Sequence, residues 1–218
     1  PGDTDYVHIK HDVTVTSSEI AGYLKVKSGS SLILNSGNDL TVNGDISNEG
    51  TITLNSASDD FSSIIVTGTS SGDVTYNRWI NSLSNGWDLV GSPVIDAVLQ
   101  SDQFSENSGN YAIQPYDNSD NTWTATSSAT FNTSSGTGYA MAKATAGTEA
   151  FTGAIQINDI NVSITNNDGS GSGTQWNLVA NPYPSYLALN NAATTASSAT
   201  TNFITQNAVT ADGLGSGT

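Results

Sequence analysis

Along residues 6–76, apolar side chains recur in pairs spaced by two. Val7 with Ile9, Val13 with Val15, Leu24 with Val26 and Leu32 with Leu34 open the series. Leu40 with Val42, Ile52 with Leu54, Ile64 with Val66 and Val74 with Tyr76 continue it. This spacing puts both members of a pair on one face of a strand. Between the pairs lie turn formers: Ser28-Gly29-Ser30, Ser36-Gly37-Asn38-Asp39, Asn43-Gly44-Asp45 and Asn48-Glu49-Gly50. Two architectures fit. One is a meander of hairpins, for which Asn43-Gly44 is a type I′ signal. The other is a short β-solenoid, in which each strand stacks on the next coil and the inward residues form a continuous stripe. The strands are very short and show no cross-strand aromatic pair, which favours the coil.

From Tyr76 onward the pattern changes. All four tryptophans lie there (Trp79, Trp87, Trp123 and Trp176), and the loops are rich in Asn, Asp, Ser and Gly. Such aromatic weight predicts a packed β-sandwich. Its expected strands cover residues 87–90, 111–115, 122–126, 139–142, 152–157, 161–165 and 176–179. Trp87-Asp88-Leu89-Val90-Gly91-Ser92-Pro93 echoes Trp176-Asn177-Leu178-Val179-Ala180-Asn181-Pro182. The echo suggests two equivalent sheet positions, with both tryptophans in the core. The fold class is therefore all-β, a short β-solenoid-like N-terminal part packed against a β-sandwich. The expected division is residues 1–76 for the coils and 77–218 for the sandwich with a loop-rich C-terminal segment. The coil runs straight into residues 75–79 without a linker, so the sandwich is expected to cap it and the two parts to act as one unit. Residues 190–202 read as a mobile loop or a poorly packed excursion, and 213–218 as a linker or a truncation point. The opening Pro1-Gly2-Asp3 reads as a processed start.

Composition sharpens this. Charged residues are 11% of the chain, against roughly 25% in ordinary soluble domains. Surface polarity must then come from Ser, Thr, Asn and Gly, which suit turns and strands better than helices. Five Lys and Arg stand against 20 Asp and Glu, a net charge of -15. Such a surface repels nucleic acid and anionic lipid, and tolerates neutral polysaccharide or cations. The absence of cysteine excludes disulfides and thiolate chemistry. No apolar run is long enough to make a membrane-spanning helix, so no membrane insertion is expected.

No catalytic constellation stands out. His8 and His11 would point to opposite faces of a strand, which is poor for a shared metal. A glycosidase needs two carboxylates about 5–10 Å apart, and nothing in the sequence brings such a pair together. Calcium is the most credible cofactor, because it takes oxygen ligands from curved, Asp- and Asn-rich loops. Asp117-Asn118-Ser119-Asp120-Asn121 and Asn166-Asn167-Asp168-Gly169-Ser170-Gly171-Ser172-Gly173 have that chemistry. The candidate ligands are Asp117, Asp120, Asn167 and Asp168, with Asp3, Asp5 and Asp12 as a third group. Plain polar hairpin loops would explain the same residues. Sugar binding would use aromatic platforms, for which Tyr116, Trp123, Tyr139, Tyr183 and Tyr186 are the candidates. Trp123 alternates with Thr122 and Thr124, which fits core or platform equally.

Trp176-Asn177-Leu178-Val179-Ala180-Asn181-Pro182-Tyr183-Pro184-Ser185 closely resembles the GWNLVGNPYPS motif of large secreted and surface proteins of Bacteroidota exported by the type IX secretion system. Ala180 replaces the motif's usual Gly. Asp5-Tyr6-Val7-His8-Ile9, the coil from Leu24 to Gly50, residues 75–93 with Arg78 and Trp79, Gly138-Tyr139 and Phe151-Thr152-Gly153 resemble further segments of the same group, in the same order. The resemblance implies an extracellular or cell-surface location and a solenoid joined to a sandwich. It implies no reaction. The expectation is a non-catalytic module of a larger protein that binds polysaccharide or mediates adhesion, with neighbouring domains of the same polypeptide as partners. The alternatives are a structural spacer in a giant adhesin, and a fragment of a polysaccharide lyase or glycoside hydrolase.

Overall fold

A computed structural model describes residues 1–169 and 171–187; the expected loop at 190–202 and linker at 213–218 lie outside them. The first nine strands wind as three coils of three. The first coil is β1 (Tyr6–Ile9), β2 (Val13–Val15) and β3 (Glu19–Ala21). The second is β4 (Tyr23–Val26), β5 (Ser31–Leu34) and β6 (Asp39–Val42). The third is β7 (Ile46–Asn48), β8 (Thr51–Asn55) and β9 (Ser63–Val66), and β10 (Ser70–Ser71) with β11 (Asp73–Ile80) begins a fourth. Corresponding strands stack in parallel to give three faces: β1-β4-β7-β10, β2-β5-β8-β11 and β3-β6-β9. This is a β-solenoid. Hydrogen bonds between rungs join side chains and backbone 19 to 25 residues apart, as Asp12 to Ser31 and Asn48 to Asp73.

The period-two pairs supply the inward stripe. On the second face, Val15 stacks on Leu34, Leu34 on Leu54 and Leu54 on Tyr76. Leu34, Leu54 and Tyr76 are fully buried, and each buried aliphatic side chain contributes roughly 1.5–3 kcal/mol of transfer energy. Tyr76 fits this apolar column because its hydroxyl donates to the Ser62 carbonyl at 2.7 Å. Burial pushes its phenol pKa up. One corner is built on glycine. A Cβ on Gly22 would lie 2.5 Å from the Thr4 backbone, one on Gly44 2.5 Å from the Gly22 carbonyl, and one on Gly68 2.5 Å from Gly44. The chain turns there with backbone against backbone, so Asn43-Gly44 marks a solenoid corner rather than a hairpin.

β11 joins the two halves. It closes the second face and then pairs antiparallel with β20 (Gly147–Ala154), from Asp73 opposite Ala154 to Ile80 opposite Gly147. The expected boundary after residue 76 thus falls inside one strand. Next come β12 (Asp88–Gly91), β13 (Val98–Gln100), β14 (Glu106–Asn107), β15 (Asn110–Tyr111), β16 (Ile113–Asp117), β17 (Thr122–Trp123), β18 (Thr130–Asn132) and β19 (Gly138–Met141). They form an antiparallel sheet in the order β12-β19-β16-β17 and two-stranded pairs β13-β18 and β14-β15. These sheets pack with the solenoid around one contiguous core running from Ile9 to Ile155. Charged groups line the junction. The Arg78 guanidinium lies 4.3 Å from the Phe61 ring centre and donates to the Trp79 carbonyl at 2.9 Å. Lys143 pairs with Glu149 at 2.7 Å.

Several expectations are corrected. Residues 161–165 and 176–179 form no ladder strand; Val179 makes a single antiparallel bridge to Thr137. The backbone groups of Thr165 are met by a side chain instead, since its N–H donates to Asn177 Oδ1 at 3.0 Å and Asn177 Nδ2 donates to its carbonyl at 2.9 Å. Trp176 is consequently 55% exposed rather than core. The strand expected at 152–157 starts and ends earlier, drawn back by its pairing with β11. The two echoed segments are not equivalent, because one is a ladder strand and the other a single bridge. They do meet at matching positions, where a Cβ on Gly91 would collide with Ala180 Cβ. A cross-strand aromatic pair also exists. Tyr6 and Tyr23 are parallel neighbours with ring centres 5.3 Å apart.

Candidate functional site

The β16-β17 end of the four-stranded sheet presents the clearest aromatic surface. Pairing of β16 with β17 sets Tyr116 opposite Trp123. Their ring centres are 4.9 Å apart, with the planes tilted by 41°. Trp123 is 42% exposed and Tyr116 half-buried. The Tyr116 hydroxyl donates to Asn121 Oδ1 at 3.0 Å and lies 2.8 Å from Thr174 Oγ1. These bonds fix the Tyr116 ring and therefore the platform it shares with Trp123.

The two loops proposed for calcium come together beside that platform. Asn118 Nδ2 donates to Thr165 Oγ1 at 2.9 Å, and Asn167 Nδ2 donates to Asn118 Oδ1 at 2.8 Å. The Thr174 N–H donates to the Asn118 carbonyl at 2.8 Å. Side-chain amides thus bind the loops to one another. Asp117 Oδ1 accepts from Ser119 Oγ at 2.6 Å and from Ser119 N–H at 2.8 Å, and these bonds hold its pKa below the usual carboxylate value. Asp120 Oδ1 accepts from Thr122 Oγ1 at 2.5 Å, and Asp168 is exposed. Asp5 accepts from Gly2 N–H and Asp12 from Ser31. Among the described residues no three His, Asp or Glu side chains converge as a metal group would require. The oxygens of Asp117, Asp120 and Asp5 accept from their own turns, and that of Asp12 accepts from the next coil.

The other aromatic candidates separate. Tyr139 is 4% exposed, with its ring edge-on to Phe131 at 5.1 Å and its hydroxyl accepting from Ser134 N–H at 2.9 Å. It belongs to the core, because β19 is buried on both faces. Tyr183 lies on the far flank in the Asn-Pro-Tyr-Pro-Ser segment, and Tyr186 directly follows it. Asn181 accepts from Tyr183 N–H at 3.0 Å and donates to the Ser185 carbonyl at 2.6 Å. This self-braced loop seats on the free edge of β9, where Ile64 N–H donates to the Pro184 carbonyl at 2.8 Å. Tyr183 is half-buried and donates to the Asn158 carbonyl at 3.1 Å, and Tyr186 is 41% exposed. Between this loop, β9 and residues 155–157 lies a groove of 140 Å³ lined by Ile65, Ile157 and Tyr183. That is below the roughly 300–1,000 Å³ of small-molecule pockets.

Sequence reasoning missed two groups. Trp176 stands exposed next to the Tyr116 network, its N–H donating to Thr174 Oγ1 at 3.3 Å. On the first solenoid face, Tyr6, His8, Tyr23 and Lys25 point outward on adjacent rungs. Only the inter-coil register reveals the second group, since its members lie a whole coil apart.

A family model described as a domain of unknown function (DUF8693) matches residues 1–211, and the chain belongs to that family. No curated protein and no solved structure matches the chain.

Proposed function

We propose that this family member is a non-catalytic binding module of a larger secreted or cell-surface protein, and that it holds polysaccharide on the open platform of Tyr116 and Trp123. The carrying observation is the exposed Trp123 ring fixed 4.9 Å from Tyr116 and rimmed by Asn121, Asp120 and Thr174. A pyranose ring lays its C–H face on an aromatic face, whose π-cloud is electron-rich. The neighbouring amides and hydroxyls then bond the sugar hydroxyls. The extracellular, type IX-exported setting rests on the resemblance of residues 176–185 to the GWNLVGNPYPS motif. The adhesin-spacer reading draws on the same motif, because its tyrosine loop covers the β9 edge. Affinity electrophoresis in gels containing neutral polysaccharides separates the two. Binding predicts retardation that Trp123→Ala weakens at least tenfold, while the thermal transition hardly moves. No retardation across a broad neutral panel leaves the spacer reading standing.

A further inference from the structure

The chain carries five Lys and Arg against 20 acidic residues, yet its cations are sharply sorted. Arg78 is buried at the junction, and Lys143 is held there by Glu149. The other three lysines and both histidines sit on or beside the first two rungs of one solenoid face. Parallel pairing places His8 beside Lys25, and the same register carries Lys10 beside Lys27, because Lys27 N–H donates to the Ile9 carbonyl. Tyr6, 80% exposed, and Tyr23 form the adjoining column, their rings 5.3 Å apart and tilted by 35°. The His8 ring lies 6.4 Å from that of Tyr23. The third rung brings Asp45 and Glu49. Asp45 accepts from Thr69, and Glu49 pairs with Lys25, whose charge this bond reinforces. Asp5 and Asp12 flank the first rung; both accept hydrogen bonds from their own turns or the next coil.

We propose that this face is a second binding platform, for an anionic pyranose polymer bearing carboxylate or sulfate groups. A flat sheet face with an aromatic column beside a cationic column offers a stacking surface and counter-charges together. Rungs lie about 4.8 Å apart, comparable to one sugar repeat, so a chain lying along the solenoid axis meets one rung per sugar. Charge density selects the ligand class. Duplex DNA carries one charge per roughly 1.7 Å, more than Lys10 and Lys27, with Lys25 already held by Glu49, neutralise on a molecule of net charge -15. An anionic bilayer would face the same acidic surroundings. A glycan with about one charge per ring matches the spacing. This platform is independent of the Trp123 surface.

The test is affinity electrophoresis and calorimetry on the 218-residue chain. The probes are polygalacturonate, dextran sulfate and neutral dextran. The expected result is retardation by an acidic polymer at low salt, fading as salt rises. Lys10→Gln/Lys27→Gln should weaken it about tenfold, equivalent to about 1.4 kcal/mol. Tyr6→Ala, at a site exposed enough to leave folding intact, should weaken it too, and Trp123→Ala should not. The two acidic probes distinguish carboxylate from sulfate. The assignment is overturned if neither acidic polymer retards the protein, or if the lysine and tyrosine variants bind like the parent. Equal binding of single-stranded DNA or of phosphatidylserine vesicles would also overturn it. Loss of neutral-polymer binding alone would instead count against the Trp123 surface.

Discussion

In the solenoid, a residue's neighbours are its counterparts one coil away. Leu34 sits between Val15 and Leu54, and the same backbone course repeats at every rung. In the second half, a residue's neighbours differ in kind. Asn118 bonds Thr165 and Asn167 from one distant stretch of chain and Asn177 from another. One half is held by repetition of shape. The other is held by particular polar pairings around short antiparallel strands. Repetition tolerates a conservative apolar change and fails when the repeat geometry is broken. Specific pairing tolerates irregular backbone and fails when one partner is removed.

Substitutions can break this comparison, beginning with the largest effect. Glu149→Ala leaves Lys143 without its partner at a site where Glu149 is 7% exposed. It should cost about 3–5 kcal/mol in urea denaturation. Leu54→Ala opens a cavity in the fully buried stripe and should cost about 2–5 kcal/mol. Both variants should unfold in a single transition, because one core spans both halves. Two separated transitions would mean that β11 does not couple them. Gly44→Ala pushes a methyl to 2.5 Å from the Gly22 carbonyl and should cost about 1–3 kcal/mol. Asn118→Ala should act locally. Hydrogen exchange should quicken over residues 165–177, with about 1 kcal/mol or less lost globally.

The smallest effect is that of pH. Hydrogen bonds from the Thr69 backbone and hydroxyl lower the pKa of Asp45, and those of Ser119 lower that of Asp117. Depressed carboxylates stabilise the fold when ionised. Their contribution is complete above the unfolded pKa of about 4 and fades as pH falls through the folded values. Thermal midpoints should therefore decline on acidification below that range. Asp45→Asn should flatten the decline slightly.

The solenoid was legible because a half-buried strand writes its orientation in alternate residues. Every pair from Val7–Ile9 to Val74–Tyr76 falls on such a strand. The register between coils was not legible, since no local pattern states that Tyr6 meets Tyr23. In the second half, β19 is buried on both faces, so Tyr139 carries no alternation to mark it as core. The residues 161–165 do alternate, yet at Thr165 an amide side chain took the place of a neighbouring strand. For the candidate site, the two polar loops and Tyr116 with Trp123 stand out in the sequence by composition, and the structure places them side by side. It could not show that the loops bond one another, because their contacts span 47 to 59 residues.

The Asn-Pro-Tyr-Pro-Ser cover sets an order in time. Tyr186 reaches back 125 residues to Phe61, and Pro184 meets Ile64 nearby. A chain made or exported from its N-terminus completes all three coils long before this segment emerges. Until then the β9 edge is open, and an open edge recruits foreign strands. Among the described residues the segment thus acts as a late-made latch on that edge, and a truncation just before Asn181 should leave a coil that forms but self-associates.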